Sequence, residues 1–198
     1  STISVLSAED VRMYGATSLP DLLRRVVGVE AMELSSGHTD LSIRGFNREL
    51  NNKILILIDG RSTYFDFIGT TMTSTLPISL EEIERVEVIR GPASAVYGAN
   101  AVTGIVNIIT RTPGEGENTV RADLGSPLYG YGSLLLTGRE RSLSYRFTAG
   151  YQQKGRWGWD FDPAEHTSVD TFFEDQTIGM RSLRANGRVD TTFGKEGI

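Results

Sequence analysis

IERVEVIRGPASAVYGANAVTGIVNIIT, residues 83–110, decides how this chain folds. Val86, Val88 and the Ile and Val residues of 105–109 are β-branched and apolar, as buried strands require. Between them stand Gly91-Pro92, Gly98 and Gly104. The spacing predicts a strand, a sharp turn, one short helical turn, a glycine-broken loop and a second strand. Pro92 is expected at the first helical position, where its missing N–H costs nothing. Gly98 is expected to end that helix with positive φ. Two strands joined this tightly make a compact α+β unit.

The bulk numbers narrow the function classes around that unit. A chain of 198 residues holds one or two domains, and 39% hydrophobic content fits a packed core. A formal charge of −5 argues against general nucleic-acid binding, which needs a basic face. With no cysteine there is no disulfide framework, thiolate site or cysteine nucleophile. The two histidines, His38 and His166, are far apart, which disfavours an imidazole metal site. No apolar run reaches the ~20 residues of a spanning helix. The start shows no basic segment followed by an apolar core, so no signal peptide is read there.

Upstream of residue 83 the signals are those of a small mixed fold. Ser7 with Asp10 makes a capping-box-like pair before a first helix, and Gly15 is its stop. Ser18 opens a second helix, expected to run through Arg24 and Arg25 to Gly28, with Leu19, Leu22, Leu23 and Val26 as its core stripe. Short strands follow at 29–34 and 41–44, with a polar loop, SSGHTD, between them at 35–40. A second polar loop spans 46–52. ILILI at 54–58 is continuously apolar, hence buried on both faces, and Asp59-Gly60 is a tight turn. A strand-end aspartate such as Asp59 also occurs in nucleotide hydrolases. No glycine here begins the phosphate loop that reading requires. Residues 64–75 form an aperiodic loop rich in threonine and aromatics, long enough to be functional. Ser79 and Glu82 frame another capping box.

After residue 113 the grammar changes. Val120, Ala122 and Leu124 alternate with Arg121 and Asp123. Leu143, Tyr145, Phe147, Ala149 and Tyr151 alternate with Ser144, Arg146, Thr148, Gly150 and Gln152. Leu183, Ala185, Val189 and Phe193 alternate with Arg184, Asn186, Arg188 and Asp190. Leu134 and Leu136 mark a fourth strand. These are period-2 strands with one apolar and one polar face. The connections alternate in length: a modest loop at 126–131, a tight turn at 139–142, and a long loop at 154–176 holding Trp157, Trp159, Phe161, Phe172 and Phe173. An outer-membrane barrel shows that pattern, with strands of about 10 residues. A soluble antiparallel sheet with one wet face fits the strands equally. Four strands cannot close a barrel, so the chain is expected to be a piece of something longer.

With these pieces in order, the chain resembles the TonB-dependent outer-membrane receptors. Residues 83–110 resemble the end of their plug domain. VLSAEDV at 5–11, SLPDLLRRVVGV at 18–29, LSIRGF at 41–46 and ILILIDGR at 54–61 precede them in the family's order. The resemblance implies an α+β plug domain over 1–113, a small mixed sheet with short helices. Antiparallel strands of an incomplete transmembrane β-barrel then occupy 114–198. The signature residues it picks out are Glu87, Gly91, Pro92, Tyr97, Gly98, Gly104 and Asn107. It also implies that Arg44 and Arg90 anchor the plug to glutamates of the barrel wall. Arginine's planar fork suits such pairing; Glu84 and Glu87 are the local alternatives.

Substrate contacts are expected on the loops 35–40, 46–52 and 64–75, with Arg48, Tyr64, Phe65 and Phe67 foremost. Cations and aromatic rings suit an anionic, partly aromatic ferric chelate. The implied function is active uptake of a scarce nutrient, a ferric siderophore first, with cobalamin, haem or glycan as alternatives. The implied partners are a TonB-type energy-transducing protein, the nutrient and outer-membrane lipid, with no cofactor and no nucleic acid. The segment that TonB grips is expected upstream of this stretch, which by itself is expected not to transport. No spacing of carboxylates, nucleophile or cofactor loop marks an enzyme. A signal-relaying receptor and a soluble α+β enzyme with an added sheet are the rival readings.

Overall fold

The computed structural model describes residues 2–35, 37–45, 53–98, 100–126, 128–155 and 178–192. Arg48 with its loop 46–52, residues 156–177 of the long connection, and residues 193–198 lie outside them.

The signature stretch forms the centre of the first region. β6 (Ile83–Arg90) runs antiparallel to β7 (Gly104–Thr110), with Val86 opposite Ile108 and Val88 opposite Val106. β1 (Thr2–Ser7) flanks β6, and β4 (Ile54–Ile58) lies parallel to β7. β5 (Arg61–Ser62) closes a mixed five-stranded sheet ordered β1-β6-β7-β4-β5. β2 (Val29–Ser35) and β3 (His38–Ile43) pair as a separate hairpin.

Core placement follows the apolar pattern. Ile54 and Ile56 join Val86, Val88, Val106 and Ile108 on one face, beneath α1 (Ala8–Met13) and α2 (Leu19–Leu23). Leu55 and Leu57 point the other way, with Ile105 and Ala101. The continuous apolar run of β4 is thus buried on both faces, as its composition predicts. Leu22, Leu23 and Ile43 are fully buried.

The caps form as expected. Ser7 Oγ accepts from the Asp10 amide at 3.2 Å, and Asp10 accepts from the Ser7 amide at 2.8 Å. Ser18 Oγ accepts from the Asp21 amide at 3.3 Å. Asp59 and Gly60, both at positive φ, join β4 to β5 in the two-residue turn that such residues favour.

Several expectations change in detail. α2 ends at Leu23 rather than at Arg25, because Arg25 and Val26 bond three residues back instead of four. Val26 stays buried with the rest of its stripe. The polar loop 35–40 is mostly strand: β3 begins at His38, and Ser35 pairs with His38 across a hairpin tip. Pro92 is not the first residue of α3 (Ser94–Tyr97), since Ala93 is the N-cap and donates its N–H to Ala101 O at 3.0 Å. Gly98 does cap α3, at φ 90 and ψ −179, a conformation that is essentially glycine-only. The loop 64–75 carries a bridge between Phe65 and Thr70 and a 3₁₀ turn at Thr73–Thr75.

The second region is a four-stranded antiparallel meander: β8 (Thr119–Gly125), β9 (Tyr129–Glu140), β10 (Leu143–Gly155) and β11 (Ile178–Thr191). Its polarity is inverted. Val120, Leu124, Leu134, Leu136, Phe147, Tyr151, Leu183 and Val189 are exposed on one face. Ser133, Ser144, Arg146, Thr148 and Gln152 are buried on the other, against the first region. We call this second region the wall. Among the described residues, no helix is long and apolar enough to cross a membrane; that says nothing of a barrel, which crosses with strands.

Candidate functional site

The seam between the two regions is built around the capping box at Ser79. A 3₁₀ turn, Leu80–Glu82, leads directly into β6. Glu82 folds back so that its Oε1 accepts the Ser79 amide at 2.9 Å. Its other oxygen, Oε2, faces the wall. There Asn186 of β11 donates to it at 2.9 Å, and the Arg146 guanidinium of β10 lies 3.4 Å away. Glu82 is 1% and Arg146 3% exposed, so this ion pair is shut off from solvent. Arg146 also donates to the Arg111 carbonyl. Burial pushes the Glu82 carboxyl above the usual glutamate range. The Ser79 amide, Arg146, Asn186 and Thr148 offset part of that rise.

Neighbouring contacts repeat the arrangement. Glu81 accepts from Tyr131 Oη at 2.8 Å and from Arg121 at 3.4 Å. Arg121 also donates to Ala16 O at 3.0 Å, Arg184 to Ser74 O at 3.1 Å, and Lys154 to Glu33 at 3.3 Å. All of these bonds run from a wall donor to an acceptor on the first region. Gly150 of β10 faces Ser79, and a Cβ there would lie 3.1 Å from Ser79 Oγ. The strands' inward arginines and the turn's paired glutamates form the centre of this polar seam.

Sequence reasoning missed this seam as a site. The Ser79–Glu82 box was legible, but as a local cap only. The alternation of Arg121, Arg146 and Arg184 was legible as one polar face. The meeting of the two depends on tertiary placement, which neither pattern encodes.

The two arginines expected to anchor the plug, Arg44 and Arg90, sit elsewhere. Arg90, at the end of β6, donates to Ser4 Oγ at 2.8 Å and to Val27 O. It thereby ties β1 to the corner after α2. Arg44 is exposed, at φ 59, with its amide donating to Gly28 O at 3.0 Å. With Lys53, Pro92 and Val102 it borders a shallow hollow of ≈ 260 Å³. The local alternative is corrected: Glu84 and Glu87 both pair with Arg85, each at 2.8 Å. Glu87 also accepts from Asn107 across the strand pair at 3.2 Å.

Other signature residues serve the β6–β7 connection. The Gly91 amide donates to Thr103 O at 2.9 Å. A Cβ on Gly104 would come within 2.5 Å of Ile89 O and 2.6 Å of Ile43 Cδ1, so only glycine fits there. Tyr97 is 48% exposed at the end of α3.

The loop candidates divide. Tyr64 and Phe65 come together with Arg61, Arg188 and Asn186 around a cleft of ≈ 840 Å³ between the first region and the wall. Phe67 stands apart at 99% exposure, and Arg48 lies outside the described residues. His38 bonds Asp40 at 3.1 Å within its own strand. Among the described residues no cluster is suited to a metal ion.

Comparison with known proteins gives this geometry a family. Residues 1–105 match the family described as TonB-dependent Receptor Plug Domain. Over 122 residues the chain is 36% identical to the vitamin B12 transporter BtuB of Vibrio vulnificus (strain CMCP6), covering 61% of this chain and 19% of that protein. A mutant of the ferric enterobactin receptor PfeA from Pseudomonas aeruginosa, solved with enterobactin, superposes with a TM-score of 0.68 at 26% identity. That match covers 98% of this chain and 31% of the receptor. The ferric yersiniabactin uptake receptor FyuA from Yersinia pestis superposes at 0.70 over 95% of this chain and 28% of its own. At 21% identity it speaks for the fold alone. The chain therefore spans under a third of the receptors it matches and about a fifth of the curated transporter. Through residues 1–105, this chain belongs to the TonB-dependent receptor plug-domain family.

Proposed function

We propose that residues 1–113 are the plug and residues 114–198 the first wall strands of an outer-membrane receptor. In this reading the receptor takes up a ferric siderophore by TonB-dependent active transport. The observation that carries the reading is the inverted wall: apolar side chains face outward, while arginines face inward onto a folded, polar-surfaced stopper. A lipid-facing barrel with a filled lumen needs that polarity.

Each candidate residue has a role in this reading. Arg44, already exposed, meets a wall carboxylate on later strands. Arg90 does so by exchanging its clamp on Ser4 and Val27. Tyr64, Phe65 and Phe67, with Arg48, offer rings and charge to an anionic chelate. A TonB-type protein supplies the energy. No residue has a catalytic role.

Cobalamin is the second reading, favoured by the 36% identity to the vitamin B12 transporter. The test is uptake by the full-length receptor in a strain stripped of its own siderophore and cobalamin receptors. Radio-iron entering with a siderophore, and stopping when TonB is deleted, is the expected result. Entry of cobalamin instead selects the second reading. Entry of neither refutes both.

A further inference from the structure

We infer that Glu82 and Arg146 form a staple through which the wall holds both ends of the plug's central hairpin. The inference concerns how the plug is seated and does not depend on which substrate is carried.

The staple acts on the residues at either side of the signature stretch. Glu82 immediately precedes β6, and Arg111 immediately follows β7. The Arg111 amide donates to Glu82 O at 2.8 Å, so the two ends of the hairpin already touch. Arg146 reaches both, with one arm toward the Glu82 carboxylate and another to the Arg111 carbonyl. A planar guanidinium can bridge two acceptors in this way, whereas an ammonium presents a single point charge.

Glu82 divides its work between folding and docking. Oε1 completes the capping box by accepting the Ser79 amide, and Oε2 receives Asn186 beside Arg146. The turn must be folded for Oε2 to face the wall, and the wall in turn neutralises a carboxylate that folding buries. A buried charge left alone is costly, so formation of the turn and seating of the plug are coupled through this one side chain. Glu81, bonded to Tyr131 and Arg121, holds the next position along the turn.

The test is hydrogen exchange on the full-length receptor, following residues 79–83 and 108–111 separately. Glu82→Gln keeps an oxygen for the Ser79 amide but turns an NH₂ group toward wall donors. Arg146→Met keeps the length and removes the charge. Each is expected to speed exchange in both segments at least about tenfold. The double variant is expected to fall well short of the product of the two, because each removes the same interaction.

Arg146→Lys should keep 79–83 protected while 108–111 opens, since a single shorter-reaching nitrogen replaces the two guanidinium nitrogens that now meet the Glu82 carboxylate and the Arg111 carbonyl separately. Ser79→Ala, which removes only the side-chain half of the cap, should leave 108–111 unchanged. Multiplicative effects of E82Q and R146M would overturn the staple, as would a 108–111 segment indifferent to Arg146. The exchange is followed without substrate, so its outcome is independent of the uptake assay.

Discussion

The plug and the wall are made of similar residues arranged inside out. In the plug, Leu22, Val86, Val88 and Ile108 are buried together, and charged side chains such as Arg85 and Glu87 lie toward the surface. In the wall, Leu124, Phe147 and Leu183 are exposed, and Arg146 and Gln152 are buried. The plug follows the rule for a folded domain in water. The wall's polarity is the one expected of strands between a polar lumen and lipid. The comparison shows that burial alone does not identify an apolar core; what lies on the far side of the sheet decides which face must be apolar.

Core truncation should separate the two regions most. Leu22→Ala in the plug is expected to cost about 2–5 kcal/mol, measured by denaturant unfolding of the plug within the full-length receptor. Leu134→Ala, on the wall's outer face, should cost far less in the same assay. The reverse ordering would mean that the regions had been assigned the wrong way round.

Charge insertion comes next. Leu183→Arg should disfavour folding into a bilayer by about 2–4 kcal/mol if residue 183 lies near the midplane. An equally exposed plug residue, Val27, should tolerate Arg within about 0.5 kcal/mol. Equilibrium folding into lipid vesicles measures both.

The smallest expected effect is a pH dependence of opposite sign on two glutamates. A hydrogen bond from Arg85 holds the Glu87 carboxyl below the usual range. Its contribution is present above the unfolded-state value and is lost as pH falls through the lowered one. Burial raises the Glu82 carboxyl. Its contribution is full below the unfolded-state value and is lost as pH rises through the raised one. Plug melting followed against pH should lose part of its acid limb in Glu87→Gln and part of its loss at higher pH in Glu82→Gln.

Much of this fold was legible in the residues because local signals agreed with the tertiary outcome. The β-branched runs became β4, β6 and β7, and Ser7, Ser18 and Ser79 capped where expected. Asp59-Gly60 made its turn. Boundaries were less legible. α2 stopped early because its last residues bond in the tighter i to i+3 manner, and Ser35 and His38–Asp40, expected in a loop, joined strand pairs because strand register outweighed their polar composition. The plug–wall seam was legible only in halves. Glu82 and Arg146 are 64 positions apart, and nothing in either neighbourhood names the other.

The central claim is that the wall's alternate residues face lipid and plug. Spin labels at successive positions test it directly, and this stretch contributes no cysteine to compete with an introduced one. Labels at Phe147, Thr148, Leu183 and Arg184, placed singly in the full-length receptor in lipid vesicles, would be probed with oxygen and with a polar nickel chelate. The account predicts high oxygen access at Phe147 and Leu183, and low access to both reagents at Thr148 and Arg184, where the plug packs. Equal access to the nickel chelate at Phe147 and Leu183 would mean that water, not lipid, covers the outer face, and would contradict the account.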